Sequence, residues 1–174
     1  MGMVDYPAQL VREHRLADGR TVVVRPIRPD DEAALGRFFA SLSGETRQLR
    51  FMKAVRSVDE KLIRFFTHVD YENHMAFVCE ASAAGSELVG EARYIVEGAA
   101  CEFSVVIADG WHKSGIAQLL MDALIEHARG RGLRTLEGLV LRENRHMLNF
   151  VKALGFEVHP AEEDSLIARV VKPL

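Results

Sequence analysis

Between Ala100 and Leu141 the hydrophobic pattern changes period twice, and this restricts the possible folds more than any other feature of the chain. In CEFSVVI, alternation puts Phe103, Val105 and Ile107 on one face of a strand, with Glu102, Ser104 and Val106 on the other. Apolar residues then recur at helical spacing: Ile116, Leu119, Leu120, Ala123, Leu124 and Ala128. Arg129, Arg131 and Gly132 end that pattern in the way a long helix ends, and Thr135 to Leu141 again reads as a strand. A strand, a helix and a second strand in this order predict a right-handed crossover, and with it an α/β domain.

The rest of the chain supplies antiparallel neighbours. Leu10 to Ile27 reads as a hairpin turning at Asp18-Gly19. Pro29-Asp30-Asp31-Glu32 opens a helix whose Leu35, Phe38, Phe39 and Leu42 should face the core. A second helix is expected from a capping box at Ser57 and Glu60, with Leu62, Phe65, Phe66 and Val69 as its apolar stripe. Met75 to Ala81, Leu88 to Val96 and Ala100 to Ala108 form a meander joined by short links of small residues. Asn144 to Leu154 is a helix ended by Gly155, and Phe156 to His159 and Leu166 to Lys172 are closing strands. The expectation is one domain over residues 1–174, with a mixed, mostly antiparallel sheet and flanking helices. The N-terminal hairpin would occupy about 9–27 and the central binding core about 75–158.

Composition narrows the function. A formal charge of −3, with Lys and Arg dispersed, gives no concentrated basic face for nucleic acid. No run of roughly 18 apolar residues spans a membrane, and MGMVDYPAQL shows no signal peptide, so a cytoplasmic protein is expected. Cys79 and Cys101 lie in strand-like runs and read as buried, reduced thiols. No histidine pattern fits a metal, so none is expected.

The chemistry concentrates in SVVIADGWHKSGIAQLLMDAL, from Ser104 to Leu124. Gly115 stands where a loop becomes a helix, and such a junction gathers free N–H groups and the positive end of the helix dipole. A pyrophosphate suits that place. Gly115 lets the backbone approach it, Lys113 adds a charge and Ser114 a hydroxyl.

This stretch resembles the acetyl-CoA-binding signature of the GNAT family, Q/R-x-x-G-x-G/A, with His112, Lys113, Ser114, Gly115, Ile116 and Ala117 in its positions. ENRHMLNFVKALGF resembles the family's second signature through Asn144, Gly155 and Phe156. The likeness extends to RPIRPDDEAALGRFF, SLSGETRQLRF, HVDYENHMAFV and GEARYIV, about residues 20 to 158. That wider pattern is similar to the acetyltransferase domain of bacterial protein lysine acetyltransferases that act on acyl-CoA synthetases.

The resemblance implies acetyl-CoA as cosubstrate, without a metal, bound by Val105, Val106, Ile107, the 112–117 segment and Asn144. It implies an amine acceptor, with a protein lysine on an acyl-CoA synthetase as one candidate, as in the similar bacterial lysine acetyltransferases, and Glu102 as the base. A solvated Glu102 paired with Arg93 is the plainer alternative. Asp70, Tyr71 and Glu72 are expected to line the acceptor groove, and His74 to be structural. Arg47 and Arg50 read as solvated helix charges. The chain departs from the family pattern at two positions. His112 replaces the usual glutamine or arginine, where the backbone N–H matters most. Val151 replaces a tyrosine that would protonate the leaving thiolate. Cys101 is a rival nucleophile, but alternation turns it away from Glu102. A small-molecule or N-terminal amine acetyltransferase, a non-catalytic acyl-CoA sensor and a homodimer are open alternatives.

Overall fold

The computed structural model describes residues 4–46, 58–81, 86–162 and 164–174. Eight strands form one sheet: β1 (Arg12–Arg15), β2 (Thr21–Pro26), β3 (His74–Ala81), β4 (Glu87–Glu97), β5 (Ala100–Ile107), β6 (Thr135–Leu141), β7 (Glu157–Pro160) and β8 (Ile167–Pro173). Their order is β1-β2-β3-β4-β5-β6-β8-β7. Neighbours run antiparallel except β5 and β6, which are parallel and joined by the long helix α3 (Ile116–Gly130). The crossover and the mixed, mostly antiparallel sheet expected from the sequence are therefore present.

Helix α1 (Glu32–Ser41) follows a 3-10 turn at Pro29–Asp31. It buries Leu35, Phe38 and Phe39, with Leu42 just beyond its end. Asp31 does more than complement the helix dipole. It is buried, and both its carboxylate oxygens accept from the Arg25 guanidinium at 2.8 Å, a bidentate pair that Glu80 extends.

Helix α2 (Glu60–Thr67) corrects two expectations. Its N-cap is Asp59, whose side chain accepts from the Leu62 N–H at 2.8 Å, while Ser57 lies outside the described residues. Its buried face is centred on Ile63 and Phe66, followed by Val69. Phe65 is half exposed, because the helix is short and the Ile63–Phe66 line alone points at α1 and the sheet. Its ring instead covers His74, centroids 4.9 Å apart.

Helix α3 buries Ile116, Leu120, Met121, Leu124, Ile125 and Ala128 against the sheet. Helix α4 (Arg145–Ala153) is capped by Asn144, whose side-chain oxygen accepts from the Met147 N–H at 3.2 Å. Among the described residues, no helix is long and apolar enough to cross a membrane.

Candidate active site

The parallel junction does not close along its length. One register pair, Glu102 with Glu137, joins β5 to β6, whereas eight pairs join β5 to β4. Beyond that pair the strands part, and a cleft of about 520 Å³ opens between them. Phe103, Ser104, Val105, Val106 and Ile107 line one wall, and Leu139 and Val140 the other. Helix α4 contributes His146, Met147 and Phe150, with Asn144 before it. Gly138 lets the Phe103 ring pack closely against β6, since a Cβ there would stand 2.7 Å from that ring. The volume falls in the range of ordinary small-ligand sites, about 300–1,000 Å³.

At its far end the cleft meets the loop before α3, where Trp111, His112, Lys113, Gly115, Ala117 and Gln118 line it. Lys113 and Gly115 both have left-handed backbone, φ +63° and +94°. Left-handed residues set into such a loop turn successive N–H groups toward one side and make an anion-binding nest. The first turn of α3 leaves its own N–H groups without intrahelical acceptors. A Cβ at Gly115 would meet nothing within 4 Å, so the space above it is open.

The loop is held from below. His112 Nε2 donates to Ile107 O at 3.1 Å, and Ser114 Oγ donates to Trp111 O at 2.6 Å. The Ser114 hydroxyl is thus spent on the loop, which corrects its expected role as a phosphate donor; Ser114 is also absent from the cleft lining. The Ile116 side chain is fully buried beneath the helix it begins, so only its backbone faces the loop. Asp109 ties the loop to the segment after α1, accepting from the Ser43 N–H at 2.8 Å and from the Thr46 hydroxyl. Burial pushes its carboxyl pKa up, but these hydrogen bonds outweigh burial and hold it below the ordinary value. Thr46 also lines the cleft.

Glu102 sits at the closed end, exposed, on the sheet face that carries Ser104 and Val106; it does not line the cleft itself but immediately precedes Phe103, the first cleft-lining residue of its strand. Arg93, on the neighbouring strand, pairs in register with Ser104. Its guanidinium is buried, contacts the Glu91 carboxylate and reaches His74 Nε2 at 2.8 Å and Phe66 O at 3.1 Å. His74 is buried and accepts from Arg93, so it is neutral; burial first, and Arg93 second, lower its pKa to about 4. Cys101 is buried on the opposite face from Glu102, and burial raises its thiol pKa to about 11.

Asp70, Tyr71 and Glu72 are not brought to this cleft. They line a separate one near the C-terminal end of α3, with His127, Gly130 and Arg131. Asp70 accepts from the N–H groups of Glu72 and His74, both at 2.9 Å, and the buried Tyr71 hydroxyl donates to Ile27 O at 2.7 Å. The structure thus places the three residues expected at the acceptor groove away from the β5–β6 cleft, with Asp70 holding the turn and Tyr71 tied to Ile27. Arg47 and Arg50 lie outside the described residues. Val151, at the tyrosine position, is fully buried.

Sequence reasoning missed Phe103, Ser104, Trp111, Gln118, Leu139, Val140, His146, Met147 and Phe150. Only Trp111 and Gln118, beside the loop motif, carried a signal that could have found them.

The Acetyltransferase (GNAT) family model matches residues 42–156. The chain belongs to the GNAT acetyltransferase family. An acetyltransferase of Pseudomonas aeruginosa is 35% identical over 153 residues, covering 86% of this chain and 82% of that one. The acetyltransferase Pat of Mycolicibacterium smegmatis is 29% identical over 140 residues, covering 79% of this chain but 41% of its own. The crystal structure of the GNAT domain of S. lividans PAT superposes with a TM-score of 0.89 at 26% identity, covering 98% of this chain and 100% of that one. The activity class follows from the family: this is a GNAT-type N-acetyltransferase. Members of the family use acetyl-CoA, and the cleft fits it, with a nest and Lys113 for the pyrophosphate and apolar strand walls for a slender chain.

Proposed function

We propose that the chain transfers the acetyl group of acetyl-CoA to the side-chain amine of a protein lysine, by direct attack of the amine on the thioester. The observation that carries this reading is the cleft's polarity: an anion nest at Lys113–Gln118 at one end and the Glu102 fork at the other. The wider likeness to protein lysine acetyltransferases supports the choice of acceptor.

Acetyl-CoA supplies an activated acyl group, and the chain's residues do the rest. The backbone of Lys113, Gly115, Ala117 and Gln118 holds the pyrophosphate. Val105, Val106 and Leu139 give the pantetheine apolar walls, and the Asn144 amide nitrogen keeps donor capacity beside the cleft, since its oxygen caps α4. A lysine amine with pKa near 10.4 is less than about one part in a thousand neutral at pH 7, so Glu102 takes its proton. Val151 cannot return a proton to the departing thiolate, and solvent at the open cleft does so. The neutral, buried Cys101 takes no part. Incubating the protein with acetyl-CoA and a panel of lysine peptides, N-terminal amines and small amines, while following CoA release, tests the reading. Release that depends on lysine side chains is expected; release with small amines alone would overturn the choice of acceptor.

A further inference from the structure

The turn between β1 and β2 lies at the same end of the sheet as the anion nest. Val22, at the start of β2, pairs with Ala81 at the end of β3, Ala81 pairs with Glu87 at the start of β4, and Gly90 pairs with Ile107 at the end of β5. From this turn Arg20 reaches across the sheet end, and its guanidinium carbon stands 3.9 Å from the centroid of the Trp111 ring. Trp111 lines the cleft. Asp18 fixes the guanidinium, with Oδ2 accepting from Nε at 2.8 Å and from Nη2 at 2.7 Å, while Oδ1 accepts from the Arg20 backbone N–H at 3.0 Å. The Arg20 side chain remains 43% exposed.

This turn residue is chemically overspecified for a hairpin. A planar cation is held flat on an indole face, and an ion pair fixes its orientation. Of its five N–H donors, Asp18 engages one edge, and those of Nη1 and the outer edge of Nη2 retain donor capacity. The molecule that passes this rim follows from the cleft. With the thioester at the Glu102 fork and the pyrophosphate on the nest, the adenosine end must leave on the far side of the nest, where Trp111 and the hairpin stand. That end carries a 3′-phosphate, a second anionic group beyond the pyrophosphate. We propose that Arg20, held on Trp111 by Asp18, is the contact for the 3′-phosphate of CoA and makes the site discriminate CoA from its 3′-dephospho form.

The inference rests on the cleft being the acetyl-CoA site, and the experiment separates the two. CoA and 3′-dephospho-CoA are titrated calorimetrically into the parent, Arg20→Gln and Asp18→Asn. Arg20→Gln should weaken CoA about tenfold while barely changing 3′-dephospho-CoA, the loss expected for one charge-assisted contact. Asp18→Asn keeps the turn's acceptor oxygen but frees the guanidinium of its counter-charge. With the guanidinium no longer fixed on Trp111, this variant should weaken CoA by less than Arg20→Gln does and leave 3′-dephospho-CoA unchanged. Arg20→Gln weakening both ligands equally would show that the residue only packs Trp111, and no change in either would also overturn the proposal. A parent that binds neither ligand would overturn the reading of the cleft itself.

Discussion

Glu102 and Glu137 stand opposite each other at the one register pair that joins β5 to β6 in parallel, and the strands separate from there. Glu137 is engaged by Arg169, whose Nη1 donates to its carboxylate at 3.0 Å. The fork therefore brings two carboxylates to the closed end of a cleft whose other end carries Lys113 and a set of N–H donors. Glu102→Gln should lower turnover about 10²–10⁴-fold while leaving acetyl-CoA affinity unchanged. Raising the pH should recover part of the loss, because free amine becomes plentiful without a base. A pH–rate profile of parent and variant checks this; a deficit constant up to pH 10 would assign Glu102 a positioning role instead.

His74 predicts an acid weakness of the fold. Its pKa drops from 6.5 to about 4 on folding, through burial and the adjacent Arg93. Between these values the unfolded chain binds a proton that the native chain refuses, so stability is full above pH 6.5 and declines as pH falls toward 4. The decline should be on the order of 2 kcal/mol. Denaturant melts across this range should show a shallower slope for His74→Gln, whose amide oxygen can still accept from Arg93.

Val151→Tyr tests whether the missing tyrosine can be restored. Val151 is fully buried, so the larger ring overpacks the site between α4 and the sheet. A loss of about 1–3 kcal/mol in stability is expected, with no rise in turnover. Chemical denaturation and the CoA-release rate measure the two effects.

Much of this was legible in the sequence, and the gaps have physical causes. The period change at Gly115 revealed the crossover, and a glycine at a loop–helix junction revealed the nest, because both are local patterns. The apolar stripe points Phe65 to the core because the apolar residues of a short helix admit more than one buried face, and only packing against α1 and the sheet decides which one is used. Asp70, Tyr71 and Glu72 looked like a groove because polar loop residues read alike whether they bind a ligand or build a turn. Leu139, Val140 and His146 are not legible because they meet β5 only through tertiary packing, such as the Phe103 ring against Gly138, 35 positions apart in the chain.

The central claim is that the cleft between β5 and β6 holds acetyl-CoA by its pyrophosphate above Gly115. Calorimetric titration of acetyl-CoA into the parent, Gly115→Ala and Gly115→Glu tests it directly. Gly115 has φ +94°, so both substitutions carry similar backbone strain, and the alanine variant isolates that cost. The glutamate adds a negative charge in the open space over the nest. The parent should saturate at one site, Gly115→Ala should bind more weakly, and Gly115→Glu should give no binding heat while still melting cooperatively. Equal affinities for parent and Gly115→Glu would contradict the account.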